Sequence, residues 1–363
     1  MMREEDLREL ADLHSAASPV LSVYLNVAPR GRGGEAAKVE LRVLLGRAAA
    51  QGAAPADLAR VERFFEHEYD RQGRGVAVFA CDGAHFWRAY ALPAPLQSMV
   101  HVGRRAYVKP LSDVWDDYDR FGVIMVDREG ARGLVFHLGS LEDASGTMGA
   151  EVRRHKQGGW ASQKLQRYED QEAHHNLRDA AEWAQHYVAE HGVKRVVLAG
   201  TDETVAEFRA LLSRPLLDTV VGQLNLDMNA TPSEVWDHAF EVTQEAQRQS
   251  EAELLEQVIS AAHTGGAGAI GLADTLAAVQ QGRAYQLLVD PEVRRAGFQC
   301  AGCGALLLEA GAACPYCGGT MVPTADVVNL VIGKAIDAGL KVSALEHNPR
   351  LVNVGQIAAA LRY

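Results

Sequence analysis

Apolar and polar positions alternate cleanly at the start of the chain. The run VLSVYLNV (20–27), after Pro19, puts Leu21, Val23, Leu25 and Val27 on one face and predicts a strand. An acidic helical pattern, MMREEDLREL, precedes it. A glycine-rich loop, PRGRGGE (29–35), comes next, and helical sequence then runs over about 36–68. GVAVFA and AHFWRAY flank Cys81-Asp82-Gly83 and read as a hairpin. GVIMVD and RGLVFHLG, joined at Arg128-Glu129-Gly130, read as a second one. Residues 140–168 are polar, with few apolar positions and a Gly-Gly pair. A helix over about 170–191 carries Leu177, Ala181, Ala184 and Val188 on one stripe and stops at Gly192. VKRVVLAG is a buried strand, and a helix begins after Thr201-Asp202.

Further on, Leu254, Leu255, Val258, Ile259 and Ala262 mark a helix that breaks at Gly265-Gly266. LADTLAAVQQG and ADVVNLVIGKAIDAG predict helices, AYQLLV and VSALE strands, and the chain closes on VGQIAAALRY. This alternation predicts an α/β protein of mixed sheets layered with helices. Three domains are expected: 1–116, 117–247 and 248–363, the last with a cysteine-rich insertion over 298–322.

The chain has 363 residues, 48% hydrophobic and 23% charged, an ordinary globular composition that excludes a disordered, collagen-like or coiled-coil chain. No apolar run approaches the roughly 20 residues of a membrane span. The N-terminal sequence lacks the basic patch and apolar core of a signal peptide, so the cytoplasm is the expected compartment. The net charge is -11, so any contact with nucleic acid must be made by a local basic patch on an acidic body.

Four of the five cysteines form two CxxC pairs, Cys300/Cys303 and Cys314/Cys317. Two facing knuckles of this kind give the four-sulfur shell that zinc prefers. Gly302, Gly304, Gly318 and Gly319 supply the backbone freedom. Four protein ligands leave no open position for water, so the expected zinc is structural. Cys81 stands alone in a turn.

The stretch 153–167 inverts the overall charge. It holds Arg153, Arg154, His155, Lys156, Lys164 and Arg167 without one acidic residue. Phosphate contact is one reading, since each neutralised phosphate releases counterions. A solvated loop charged for solubility is the other. Gly158 and Gly159 allow close backbone approach, and Trp160 offers a face for stacking on a base.

This segment resembles the tip loop of the archaeal and eukaryotic class I peptide-chain release factor superfamily, and is most similar to its bacterial branch. In that family a Gly-Gly-Gln tip enters the ribosomal peptidyl transferase centre. Lys156, Gln157, Gly158 and Gly159 match the lead-in and both glycines; Ser162, Lys164 and Arg167 resemble the family's residues beyond the tip. Trp160 stands where the family has glutamine, and Gln163 lies three positions later. GVIMVDREGARGLVFHLG and VKRVVLAGTDET are similar to the family's middle domain. The sequence from VNLVIGKAIDAG to the end resembles its third domain, shared with the Pelota rescue factors, where archaeal members also carry a four-cysteine zinc insertion. The stop-codon motif Asn-Ile-Lys-Ser is not found in residues 1–116.

The resemblance implies a factor that binds the ribosomal A site in termination or rescue. It implies codon-independent hydrolysis of peptidyl-tRNA, with Gln163 orienting water and Gly158 and Gly159 as the hinge. Ribosomal RNA and peptidyl-tRNA would be the partners, with a translational GTPase as a further one. The other reading is a non-catalytic ribosome-binding hibernation or stress factor; a third is an RNA-binding scaffold unrelated to the A site. Elsewhere, His174, His175 and His186 read as a solvated helix face, Asp127 as a turn cap, and Asp113, Asp116, Asp117 and Asp119 as a solvated linker.

Overall fold

A computed structural model describes residues 2–15, 17–28, 35–70, 73–93, 96–149, 160–309 and 311–363. By contacts the chain forms two compact units, one of residues 1–117 and 251–363 and one of residues 118–250. The α/β class is as the sequence predicts.

The first unit opens with α1 (Glu4–Asp12), whose start is capped by the Asp6 carboxylate accepting from the Arg3 N–H at 2.6 Å. Strands β1 (Val20–Asn26), β2 (Gly75–Cys81), β3 (Phe86–Leu92) and β4 (Met99–Gly103) form an antiparallel sheet in the order β3-β2-β1-β4. Leu21, Val23 and Leu25 meet the apolar faces of α2 (Glu35–Ala50) and α3 (Pro55–Arg63). Ser22 and Tyr24, on the other face of β1, are buried as well. The chain then enters α4 (Lys109–Asp117).

The second unit is a three-layer sandwich. Strands β5 (Phe121–Val126), β6 (Gly130–His137), β7 (Ser140–Met148), β8 (Val196–Ala199) and β9 (Val220–Leu224) lie in the order β7-β6-β5-β8-β9. Helices α5 (Trp160–Glu190), α6 (Asp202–Leu211) and α7 (Arg214–Leu217) supply one side. The first part of α8 (Pro232–His263) supplies the other, through Val235, Trp236, Ala239 and Phe240. β5 is buried along its whole length, which is why its sequence is a continuous apolar run.

The remainder of the first unit holds β10 (Gly268–Ile270), α9 (Gly271–Gln280), β11 (Ala284–Val289), β12 (Gly297–Cys300), β13 (Leu306–Leu307), β14 (Met321–Thr324), α10 (Val327–Asp337), β15 (Lys341–Ala344), α11 (Pro349–Asn353) and β16 (Ile357–Leu361). One sheet has the order β10-β16-β11-β15, and the small sheet β13-β12-β14 carries the cysteines.

Within this unit the two ends of the chain are knotted at residues 106–109. Buried Asn329 on α10 accepts from the N–H groups of Val108 and Lys109 at 3.1 and 3.2 Å and donates to the Ala106 carbonyl at 3.3 Å. The Tyr107 hydroxyl donates to Asp326 at 3.0 Å, its N–H donates to the Ser22 hydroxyl at 3.0 Å, and its carbonyl accepts from the Tyr24 hydroxyl. The Lys109 ammonium is fully buried and donates to the Val293 carbonyl at 2.6 Å.

Four expectations change. The polar stretch 140–168 contains a nine-residue strand, β7, which is largely exposed at a sheet edge and so lacks an apolar alternation. Helix α5 starts at Trp160, not near 170, because the sequence over 160–169 carries no helical apolar period to announce it. The helix read around 254–262 is the end of α8, which runs unbroken from Pro232. Asp116 is not a solvated linker residue: it is 5% exposed on α4 and pairs with Lys341 at 3.2 Å. Asp127 is the turn cap expected, accepting from the N–H groups of Glu129 and Gly130 at 2.8 and 2.9 Å. No helix among the described residues is long and apolar enough to cross a membrane.

Helix α1 lies against α10, with Leu7, Leu10 and Ala11 buried. There burial and the Asp12 carboxylate push the Asp337 carboxyl up to about 6, against an opposing pull from Arg105. The folded chain therefore binds this proton more tightly than the unfolded chain, whose Asp titrates near 3.9. The associated stability is full below about pH 4 and is lost as pH rises through 6. Asp337→Asn is expected to stabilise the protein at pH 7 by about 1 kcal/mol, the site being half exposed and screened, and to do nothing at about pH 3.5. Urea midpoints at the two pH values check this; an equal gain at both would contradict it.

Candidate nucleic-acid interface and metal centre

Of the residues read as the basic tip, Arg153, Arg154, His155, Lys156, Gly158 and Gly159 lie outside the described residues. Trp160, Gln163, Lys164 and Arg167 fall in the first two turns of α5. Their spacing of 0, 3, 4 and 7 puts them on one helical face.

The support for this helix begins further along it. Among the described side chains of α5 the first buried one is Ala173, followed by Asn176, Leu177, Ala180, Ala181, Ala184, Tyr187 and Val188. Trp183 and Tyr187 stack at 4.9 Å, close over Gly133 of β6, where any Cβ would run into both rings. The Tyr187 hydroxyl donates to Asp143 of β7 at 2.9 Å. Thirteen residues, 160–172, precede this packed part, a length of about 20 Å at 1.5 Å per residue.

A clamp marks where the support starts. The Gly149 N–H donates to the Glu129 carbonyl at 2.6 Å, closing the end of β7 onto the β5–β6 turn. The buried Asn176 side chain donates to the Arg128 carbonyl at 3.0 Å and fills the space a Cβ on Gly149 would need. Arg128 also reaches Asp170 at 2.5 Å. No periodicity in the sequence announces this clamp; the visible signals are a glycine just after a strand and an asparagine inside an apolar helical stripe.

Residues 107–244 match the model of bacterial archaeo-eukaryotic release factor family 10. The resemblance read from the sequence is borne out there. The match includes the 153–167 segment, the clamp and all of α5. Solved structures similar to the chain include an archaeal translation termination factor aRF1, at 17% identity over 100% of this chain and 99% of that one, with a TM-score of 0.28. The Archaeoglobus fulgidus Pelota is similar at 12% identity over 99% and 92%, with a TM-score of 0.35. Dom34 of S. cerevisiae, a translation termination-like factor involved in RNA quality control pathways and interacting with Hbs1, is similar at 9% identity over 99% and 92%, with a TM-score of 0.40. No curated protein matches the chain.

The second site is the cysteine module. The Sγ atoms of Cys300, Cys303, Cys314 and Cys317 all lie within 4.8 Å of one another. A tetrahedral shell with bonds of about 2.3 Å places its sulfurs about 3.8 Å apart, so the cluster can hold a metal ion. The two knuckles repeat one geometry. The Gly304 N–H donates to the Cys300 carbonyl at 3.0 Å, and the Gly318 N–H to the Cys314 carbonyl at 2.8 Å. Both glycines are left-handed, with φ of 69° and 71°. The backbone N–H groups of Cys303 and Gly302 lower the Cys300 thiol, while the neighbouring thiols raise that of Cys317, so without an ion the four sulfurs share their protons unevenly. The Gln280 amide fastens the module to α9, donating to the Leu306 carbonyl at 3.1 Å and accepting from its N–H at 2.7 Å.

The other candidates stay apart from both sites. His174, His175 and His186 are exposed on α5, with His175 3.7 Å from Asp179. Gly265, at φ 72°, lies just past α8 and marks its stop. Cys81 is buried beside Ser18.

Gly149→Ala is expected to push the Asn176 amide off the Arg128 carbonyl and cost about 1–2 kcal/mol. Because Asn176→Ala removes the same bond, the double variant should cost clearly less than the sum of the two. A thermal-melt mutant cycle decides this, and additive losses would show that the clamp does not exist.

Proposed function

We propose that this protein acts at the ribosome in translation termination or rescue, with the 155–167 segment promoting codon-independent hydrolysis of peptidyl-tRNA. One observation carries the reading: the family match covers the basic double-glycine stretch where it leads into α5. The partners would be ribosomal RNA and peptidyl-tRNA in the A site. The solved relatives support this by their own descriptions, one being a ribosome-bound archaeal Pelota with ABCE1. Dom34's partner Hbs1 is the ground for keeping a delivering partner, a translational GTPase, in the proposal.

The chemistry asks little of the protein. Ribosomal RNA holds the ester, and the factor adds a positioned amide. A glutamine side chain both donates and accepts, so Gln163 can orient a water against the ester carbon while backbone N–H groups face the developing oxyanion. Gly158 and Gly159 give the tip room among RNA strands. Arg153, Arg154, His155, Lys156, Lys164 and Arg167 would dock on phosphates and Trp160 on a base. One observation favours a second reading. Trp160 occupies the family's glutamine position, and a bulky indole there suits a factor that occupies the site without hydrolysis, as in hibernation.

Ribosomes carrying peptidyl-tRNA separate the two readings. Wild-type protein is expected to release peptide, and Gln163→Ala to slow release by about 100-fold, the scale of one lost oxyanion-type interaction. Equal release by both proteins would remove Gln163 from catalysis; ribosome binding without release by either would leave the hibernation reading.

The metal is proposed to be a structural zinc held by Cys300, Cys303, Cys314 and Cys317. It would close a module with a small apolar cluster around Cys300, Ala305 and Cys314. Purified protein is expected to contain one zinc per chain, and Cys303→Ser to lose it together with a large part of the thermal stability. Metal analysis giving another ion, or none, would overturn the assignment.

A further inference from the structure

The geometry points to a second RNA-binding surface: the outward face of α5 from Tyr168 to Arg178, gripping an RNA strand by its phosphates and one stacked base. The inference rests on the ribosomal reading above but concerns residues that reading does not use.

Tyr168, Gln171, His174, His175 and Arg178 are all exposed, Tyr168 to 63%. Their spacing of 0, 3, 6, 7 and 10 keeps them in one band along the helix. Lys164 and Arg167 precede them in the same helical register. From 168 to 178 the band runs about 15 Å, and no acidic residue falls in it before Glu182, about one turn beyond Arg178. The acids of this stretch lie elsewhere. Asp170 is taken up by Arg128 at 2.5 Å, Glu169 and Glu172 occupy the other flanks, and Asp179 borders the band beside His175 at 3.7 Å.

This segregation needs a cause. A helix that only had to be soluble would mix its charges, as this one does on its flanks. A chain of net charge -11 that clears carboxylates from one exposed band, and leaves a large aromatic ring standing in it, presents a surface complementary to a polyanion with planar bases. Arg178 is exposed and forms no ion pair with another described residue. Packing of Leu177, Ala180 and Ala181 on the opposite side fixes the band's direction, so binding orders little that is not already ordered.

The test uses the full chain and two probes, intact 70S ribosomes and a labelled 20-nucleotide single-stranded RNA. Variants are Tyr168→Ala with Arg178→Glu, and Arg178→Lys as the charge-preserving control; all positions are exposed, and circular dichroism confirms the fold. The double variant is expected to bind both probes at least tenfold more weakly, with a salt slope shallower by about 1, and Arg178→Lys to bind like wild type. Wild-type affinity for both probes in the double variant overturns the inference and leaves the ribosomal reading standing. Loss on 70S with unchanged RNA binding also overturns it, since the band would then grip an acidic protein surface. If the wild type binds RNA through this band yet ignores 70S particles, the inference holds and the ribosomal reading falls.

Discussion

Helix α5 is held to its sheet from Ala173 onward and by nothing buried before it among the described side chains. Each large apolar side chain in the held part, such as Leu177, Tyr187 and Val188, contributes on the order of 1.5–3 kcal/mol by burial. Of the 13 residues before it, the described side chains, 168–172, have no such term. A free peptide of that length is a marginal helix in water, because the first turn is costly to nucleate. Here the nucleus is already formed, and Ala161, Gln163, Lys164, Leu165, Gln166 and Arg167 need only continue it. They rank among the better helix formers, which favours that continuation. The clamp at Gly149 and Asn176 sits where the two regimes meet and closes the end of β7 at the base of the helix.

The same division explains what the sequence discloses. Buried elements are legible because burial imposes a period: the continuous apolar run of β5, the alternation in β1, and the Leu177-to-Val188 stripe all locate their elements well. Elements that face solvent impose none. β7, largely exposed, therefore reads as part of a polar stretch, although it is a nine-residue strand. The cysteine knuckles were legible for a different reason, since metal chemistry fixes both residue type and spacing. The Asn329 knot was not legible at all. A buried asparagine looks like any polar residue until Ala106, Val108 and Lys109 are seen to need its amide, 221 positions apart for the Val108 bond.

Both ends of the first unit depend on polar groups with little tolerance for loss. Asn329 satisfies three backbone groups that would otherwise be buried without partners, each a penalty of about 1–3 kcal/mol. Gln280 plays the matching part for the cysteine module, standing in for a strand at Leu306. The left-handed Gly304 and Gly318 then let each knuckle fold back on its first cysteine without the roughly 1 kcal/mol or more that a side chain there would cost. Gln280 thus ties the edge of the module to α9.

A protein of net charge -11 that is proposed to bind RNA must keep its own charge from opposing the contact, and distance along α5 offers a way. At physiological ionic strength fields between exposed charges fade over about 8 Å. Trp160 stands about 20 Å along the helix from the first buried position, Ala173, more than two such lengths. On the proposed reading, that length would separate positions 164 and 167 from the carboxylates lying beyond Ala173 on the same helix. Nearer the body that shield is lost, and the protein needs another. Around His174 and Arg178 it is local: the acids stand on the flanks, and Asp170 is spent on Arg128. Spacing would serve the outer turns and segregation the inner ones, leaving an exposed band from Tyr168 to Arg178 clear of acids while the whole chain stays at -11.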